Sequence, residues 1–112
     1  MSEETDFIQR WNSQVKKGIL EFIILLMLSK RNRYGYELIV EIKKYTEYDV
    51  AEGTIYPLLN RLKTCGMVDS NWEEMESGMP RKYYKITSVG KKNLSEMKKQ
   101  WLYLISNIQS IK

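Results

Sequence analysis

The sequence predicts a mainly α-helical chain that carries one small β-hairpin and ends in a long helix. Three observations predict it. Ile55, Leu58, Leu59, Leu62 and Cys65 recur at helical spacing and are followed by Gly66, the residue type favoured at a left-handed helix end. Val68, Ser70 and Trp72, then Tyr83, Lys85 and Thr87 against Tyr84 and Ile86, alternate as strands do, with Ser77-Gly78 as the turn signal between them. Leu94, Met97, Trp101, Leu104, Ile108 and Ile111 are spaced three and four apart in turn, which is a heptad seam. A helix followed at once by a two-stranded hairpin is the second half of a winged helix-turn-helix. On this pattern residues 1–86 form the winged helix-turn-helix with an N-terminal helix, and residues 87–112 form a dimerisation helix.

Composition narrows the function. The 112 residues suit one domain with a modest core. With 43% hydrophobic and 29% charged residues the chain is globular rather than disordered. A net charge of +4 suits a polyanionic partner without establishing one. There is no histidine, which removes the commonest general base and the commonest metal ligand together. No metal cluster, phosphate-cradling glycine loop or nucleophile–base pair stands out, so no enzyme, cofactor or metal site is predicted. Cys65 is the only cysteine, so no intramolecular disulfide forms and a reducing cytoplasm fits. Its place on the apolar face predicts a small core residue. Ile19 to Leu28 is the most apolar run, yet a bilayer needs about 20 such residues. It reads as a buried helix, not as a membrane segment or a signal peptide.

The first helix is predicted to start near Thr5 or Asp6, either of which can cap it. Phe7, Ile8, Trp11 and Val15 give it an apolar stripe, Gly18 marks a bend or a close approach, and Leu20, Ile23, Ile24, Met27 and Leu28 continue into the core. The basic Arg31-Asn32-Arg33 ends the element. Trp11 either staples the N-terminus to the body or lines a pocket or subunit contact. The second helix runs from Tyr34-Gly35 to Tyr45, with Leu38, Ile39 and Ile42 buried and Tyr34, Tyr36 and Lys43 left for other surfaces.

Glu47-Tyr48 turns the chain into the third helix. Asp49, with Glu52 three residues on, resembles a capping box, and Ala51 is the less favourable alternative cap. Pro57 cannot donate to the carbonyl of Gly53, so it is tolerated only near a helix start. Gly53, Pro57, Asn60 and Thr64 point away from the leucine face, with Tyr56 and Lys63 on one flank and Thr54 and Arg61 on the other. Small residues admit a close backbone, and the polar ones offer donors to phosphates or base edges. A solvated face could look the same, but the mixture favours double-stranded DNA. The predicted DNA contacts are Tyr36, Gly53, Thr54, Tyr56, Pro57, Asn60 and Lys63, joined by Arg81 and Lys82 of the hairpin. Glu73, Glu74 and Glu76 are expected to face away from DNA or to pair with Arg81, Lys82 or Lys85.

Thr87 is a good N-cap for the last helix. Its seam, widened by Leu102 and Ile105, runs roughly 36 Å at the helical rise, more than one small domain covers. The seam could pack within the chain on the first helix, which is equally apolar, or on a second subunit; both are expected, giving a homodimer whose interface takes Phe7, Trp11, Leu94, Met97, Trp101, Leu104, Ile105 and Ile108. An indole amid aliphatic side chains admits a further reading. Trp101, with Met97 and with Trp11 and Val15 of the first helix, forms a slot for a small aromatic effector; alternatively Trp101 just fills the interface.

Three pieces in order carry a family resemblance. Lys17-Gly18-Ile19-Leu20-Glu21 precedes Tyr34-Gly35-Tyr36-Glu37-Leu38; Gly53-Thr54-Ile55-Tyr56-Pro57-Leu58-Leu59 precedes Arg61-Leu62 and Gly66; Pro80-Arg81-Lys82-Tyr83-Tyr84 precedes Ile86-Thr87 and Gly90. The chain resembles the PadR family of bacterial transcriptional regulators over nearly all its length. The resemblance implies a dimer that represses its target genes and lets go when an effector binds. With a single C-terminal helix it is similar to the compact subfamily, and to its lactococcal multidrug-responsive repressor at Ser70-Asn71-Trp72, Arg81-Lys82-Tyr83-Tyr84 and Trp101. There, paired tryptophans hold flat aromatic compounds at the dimer centre. Met79-Pro80 at the hairpin tip and Trp11 depart from that pattern. The competing reading is a dimeric winged-helix module that contacts protein rather than DNA.

Overall fold

The computed structural model describes residues 3–112. Among them the elements run α1 (Glu3–Gly18), α2 (Leu20–Lys30), β1 (Arg33–Tyr34), α3 (Gly35–Thr46), α4 (Glu52–Thr64), β2 (Val68–Glu73), β3 (Arg81–Ile86) and α5 (Ser88–Gln109). This is the predicted class, mainly helical with a small antiparallel wing.

The long first helix of the sequence pattern is two helices. Ile19, at φ −108° and ψ 11°, separates α1 from α2. The backbone stays paired through the break, with Ile19 N–H donating to the Val15 carbonyl at 3.2 Å and Ile23 N–H to the Ile19 carbonyl at 3.0 Å. Open space surrounds the Cβ position of Gly18, so close packing does not cause the break. Glycine holds a helix weakly, and here it stands between a solvated amphipathic stretch and an almost wholly apolar one. Thr5 and Asp6 lie inside α1 and do not cap it.

The core is single and centred on α2. Leu20, Ile24, Leu25 and Leu28 meet Leu38 and Ile42 of α3, Ile55, Leu59 and Leu62 of α4, Val68 and Tyr84 of the wing, and Leu94 of α5. A helix surrounded in this way must be apolar nearly all round, as α2 is. Leu94, expected in the dimer seam, is only 3% exposed within its own chain and offers no face to a second one. The seam therefore starts further along α5.

Asp49 does not cap α4. Its carboxylate pairs with Lys43 at 2.7 Å, Val50 is buried, and the N-cap falls at Ala51. Pro57 lies inside α4, where its missing N–H falls opposite the carbonyl of Gly53, a solvent-exposed residue. At the far end Gly66 takes φ +77°. Gly66 N–H donates to the Lys63 carbonyl at 3.0 Å and Met67 N–H to the Leu62 carbonyl at 2.9 Å, a Schellman closure. The helix ends at Thr64 with Cys65 as its C-cap, and Cys65 is exposed rather than buried.

The sheet has three strands in the order β1-β3-β2, and β1 is the strand that the sequence pattern lacks. Arg33 pairs with Tyr84 and Tyr34 with Tyr83. Arg33 is buried, its guanidinium donating to the carbonyls of Met27 and Arg31 and to the Glu41 carboxylate. A buried cation is tolerable only when its donors are met in this way. β2 and β3 pair from Val68↔Ile86 to Glu73↔Arg81.

Two neighbouring carbonyls join the end of α4 and the start of the wing to α5. Met67 O accepts Thr87 N–H at 3.0 Å, and the Thr87 hydroxyl donates to Gly66 O at 2.5 Å and to Met67 O at 3.1 Å. Thr87 Oγ1 in turn accepts Gly90 N–H at 3.0 Å, the predicted N-cap.

Among the described residues, apolar stripes on α1 and α5 remain uncovered within the chain. Phe7, Ile8 and Trp11 stand exposed on α1, and Leu104 and Ile108 on α5. The radius of gyration is 16.2 Å, against about 13 Å for a compact chain of this length. No helix among the described residues is long and apolar enough to cross a membrane.

Candidate nucleic-acid interface

Period-two alternation puts Ser70 and Trp72 of β2 on one face of the wing with Lys82 and Tyr84 of β3. That face turns toward α4. Lys63 Nζ donates to Ser70 Oγ at 2.7 Å, fixing the lysine against the wing. Between helix and wing lies a groove of about 450 Å³, lined by Tyr56 and Asn60 from α4, Trp72, Pro80, Arg81, Lys82 and Tyr84 from the wing, and Tyr34-Gly35 from the start of α3.

Tyr56 has space only because residue 35 is glycine. A Cβ there would overlap the phenol ring, lying 2.7 Å from both Cζ and the hydroxyl. Burial pushes the Tyr56 phenol above its ordinary pKa, and Glu52 adds to the shift. Burial does the same to Tyr84, with Tyr56 adding to it. Both hydroxyls therefore stay protonated donors well above neutral pH.

The wing cations rest on aromatic rings. The Arg81 guanidinium carbon is 4.5 Å from the Tyr34 ring centroid, and Tyr34 meets Tyr83 edge-on at 5.4 Å. Lys82 Nζ lies 5.9 Å from the centroids of both Trp72 and Tyr84. The expected pairing of Glu73, Glu74 or Glu76 with these cations is not among the ion pairs of the described residues. Cation–π contact leaves the positive charge in place, whereas a carboxylate would offset it. The wing stays positive toward the groove.

Of the residues predicted to meet DNA, the groove brings together Tyr56, Asn60, Arg81 and Lys82. Gly53 is exposed at the start of α4, and Lys63 sits at the wing edge. Thr54 and Pro57 line a separate cleft on the other flank of α4. Tyr36 is exposed on α3 beside Glu37 and Val40, outside the groove. Sequence reasoning missed Trp72 and the Tyr34-Gly35 pair. The signal for the pair was the Tyr34-Gly35-Tyr36 run, where a glycine admits the close approach of another element.

The second predicted site divides. Met97 and Trp101 line a groove of about 390 Å³ with Gly18, Ile19, Glu21, Phe22, Gln100 and Leu104. The Trp101 ring stands 6.1 Å from Phe22 at 49°. Trp11 and Val15 do not line it; Trp11 is exposed on α1 and Val15 half-buried. Phe22, inside the apolar run, carried no sequence signal of its own.

The family model for the PadR-like transcriptional regulators matches residues 24–96, which run from within α2 into the first half of α5. The chain belongs to the PadR-like family of transcriptional regulators. It is a DNA-binding regulator of the winged-helix kind and not an enzyme. An uncharacterised protein of Lysinibacillus sphaericus is 37% identical over 91 residues, 80% of this chain and 84% of that one. A PadR-like transcriptional regulator from Bacillus cereus is similar in structure, with a TM-score of 0.77 at 36% identity over 89% of this chain and 100% of that one. A PadR family transcriptional regulator from Eggerthella lenta reaches a TM-score of 0.85 at 29% identity, over 95% of this chain and 92% of its own.

Proposed function

We propose that this PadR-like protein is a homodimeric cytoplasmic repressor that binds operator DNA through α4 and the wing and is released by a small, planar aromatic effector. Residues 1–86 carry the DNA-binding function and residues 87–112 dimerise. The observation that carries the reading is the convergence of Tyr56 and Asn60 with Arg81 and Lys82 around one open, uncompensated positive groove. Tyr56 and Asn60 read base edges, while Lys63, Arg81 and Lys82 hold phosphates. Gly53, Thr54 and Pro57 let the α4 backbone approach, and Tyr36 flanks the contact. In a two-fold dimer two recognition helices lie about 34 Å apart, so the operator is a pseudo-palindrome. Lys63→Ala and Arg81→Ala are expected to weaken binding of genomic duplex fragments and flatten its salt dependence, by about 0.9 log units per log unit for each phosphate lost, with sequence preference kept. Tyr56→Ala and Asn60→Ala are expected to lose discrimination between operator and random DNA. Binding that is insensitive to all four changes would show that the surface has been misassigned, as it would be in a winged-helix module that contacts protein.

The dimer reading rests on the two uncovered stripes. Leu104, Ile105 and Ile108 of α5 meet the partner, and Phe7 and Trp11 of each α1 close over its helix. This brings Trp11 and Val15 beside the Trp101–Met97 groove, where they complete the effector slot. Two indoles offer shape-tolerant stacking worth about 0.5–1.5 kcal/mol per ring pair beyond area burial. The effector must bind better to a dimer whose recognition helices are mis-spaced. Titrating planar dyes against tryptophan fluorescence is expected to show quenching that disappears in Trp101→Ala. Quenching that persists in the variant leaves the repressor without this slot.

A further inference from the structure

We infer that Lys17 is a phosphate anchor that holds the DNA strand opposite the one gripped by the wing. The inference rests on the reading of α4 as the helix that enters the groove. An α-helix with its side chains is about 10–12 Å across and the major groove of DNA about 12 Å wide, so both sugar–phosphate walls run along the flanks of an inserted helix. On one flank of α4 stand Arg81 and Lys82 of the wing, with Lys63 bound to Ser70. The other flank has no wing. What the fold places there is the break between α1 and α2.

A cleft of about 250 Å³ lies between that break and α4, with Lys17, Gly18 and Glu21 on one wall and Thr54, Pro57 and Arg61 on the other. Thr54 is half-buried and Pro57 exposed on α4, so the cleft opens at the edge of the DNA-facing surface. It holds two cations. Arg61 is bound to the Glu21 carboxylate at 2.6 Å, which offsets its charge. Lys17 is exposed and joins none of the ion pairs among the described residues. Of the two cations in the cleft, the uncompensated one is therefore Lys17. A lysine ammonium is a compact point charge on a flexible stem, suited to a phosphate whose position is fixed only by the duplex. The recognition module then touches both backbone walls, with the wing on one and the end of α1 on the other.

Phosphate contacts are independent of sequence, so a mixed-sequence duplex serves as the probe. The full-length protein and its Lys17→Gln, Lys17→Arg and Lys44→Gln variants are titrated over a range of salt concentrations. Lys44 lies in the last turn of α3, over the Tyr45 ring, and serves as the control cation. The Lys17→Gln slope of log affinity against log salt is expected to be shallower by about 0.9 per subunit. Lys17→Arg is expected to restore it, and Lys44→Gln to leave it unchanged. A wild-type slope in Lys17→Gln, or an equal loss in Lys44→Gln, overturns the anchor. Wild-type protein with no salt-dependent duplex binding overturns the DNA reading beneath it, so the two failures are distinguishable.

Discussion

Monomers are the expected result of sedimenting the Leu104→Glu, Ile108→Glu double variant at concentrations where the wild type is a dimer. Leu104 is 51% exposed and Ile108 55% exposed within the chain. Substitutions at such surface positions usually change the stability of a fold by no more than about 0.5 kcal/mol. If α5 packs against a partner, the same changes bury four carboxylates in an apolar seam, at a cost of several kcal/mol. The contrast between these magnitudes makes the experiment decisive. Circular dichroism should keep its helical signal while the mass halves. A folded dimer that survives both glutamates would place the interface elsewhere.

A second large effect is expected at Gly90. The residue sits in the first turn of α5, where alanine would ordinarily be preferred by about 1 kcal/mol. Here a Cβ would overlap the Met67 carbonyl and come within 2.7 Å of Ile86 Cγ1. The obstacle is backbone, so it cannot swing aside as a flexible side chain would. Overpacking of this kind typically costs about 1–3 kcal/mol, and the same shift strains the carbonyl that accepts both Thr87 donors. The clash should outweigh the gain in propensity. Urea unfolding at a fixed protein concentration is expected to show a lower midpoint for Gly90→Ala at similar cooperativity. A raised midpoint would mean that propensity wins and that α5 is free to move off the wing.

The recognition helix and the wing were legible in the sequence because their signals are local. The leucine spacing, the left-handed Gly66, the alternation around Ser77-Gly78 and the Thr87 cap each lie within a few residues of what they specify. What was not legible depends on partners further away. β1 is two residues long and has no periodicity to read; only pairing with β3 makes it a strand. The burial of Arg33 depends on Met27 and on Glu41, which lies eight residues along the chain. Asp49 looks like a cap until Lys43 claims its carboxylate. Cys65 extends the apolar spacing of its helix, but as the C-cap it stands past the last helical residue and is exposed. The groove was half legible. Tyr56, Asn60, Arg81 and Lys82 could be named, while Trp72, Tyr34 and the need for Gly35 depend on how α3 leans on α4.

The Met67 carbonyl has a mechanical consequence. Within a few residues of it α4 ends, β2 begins, β3 ends and α5 is capped, and hydrogen bonds at or beside that carbonyl tie all four together. Gly90 packs α5 down onto this point with no room to spare. There is thus no compliant joint between the helix proposed to dimerise and the helix proposed to read DNA. In a symmetric pair of chains, any rolling of one α5 over the other would swing its α4 as a lever swings about a fulcrum, without a loop to absorb the torque. A small change in angle at the Trp101 groove would grow with distance along that lever. Regulation would then consist of a change in the pitch between two stiff halves, with neither half changing its own shape.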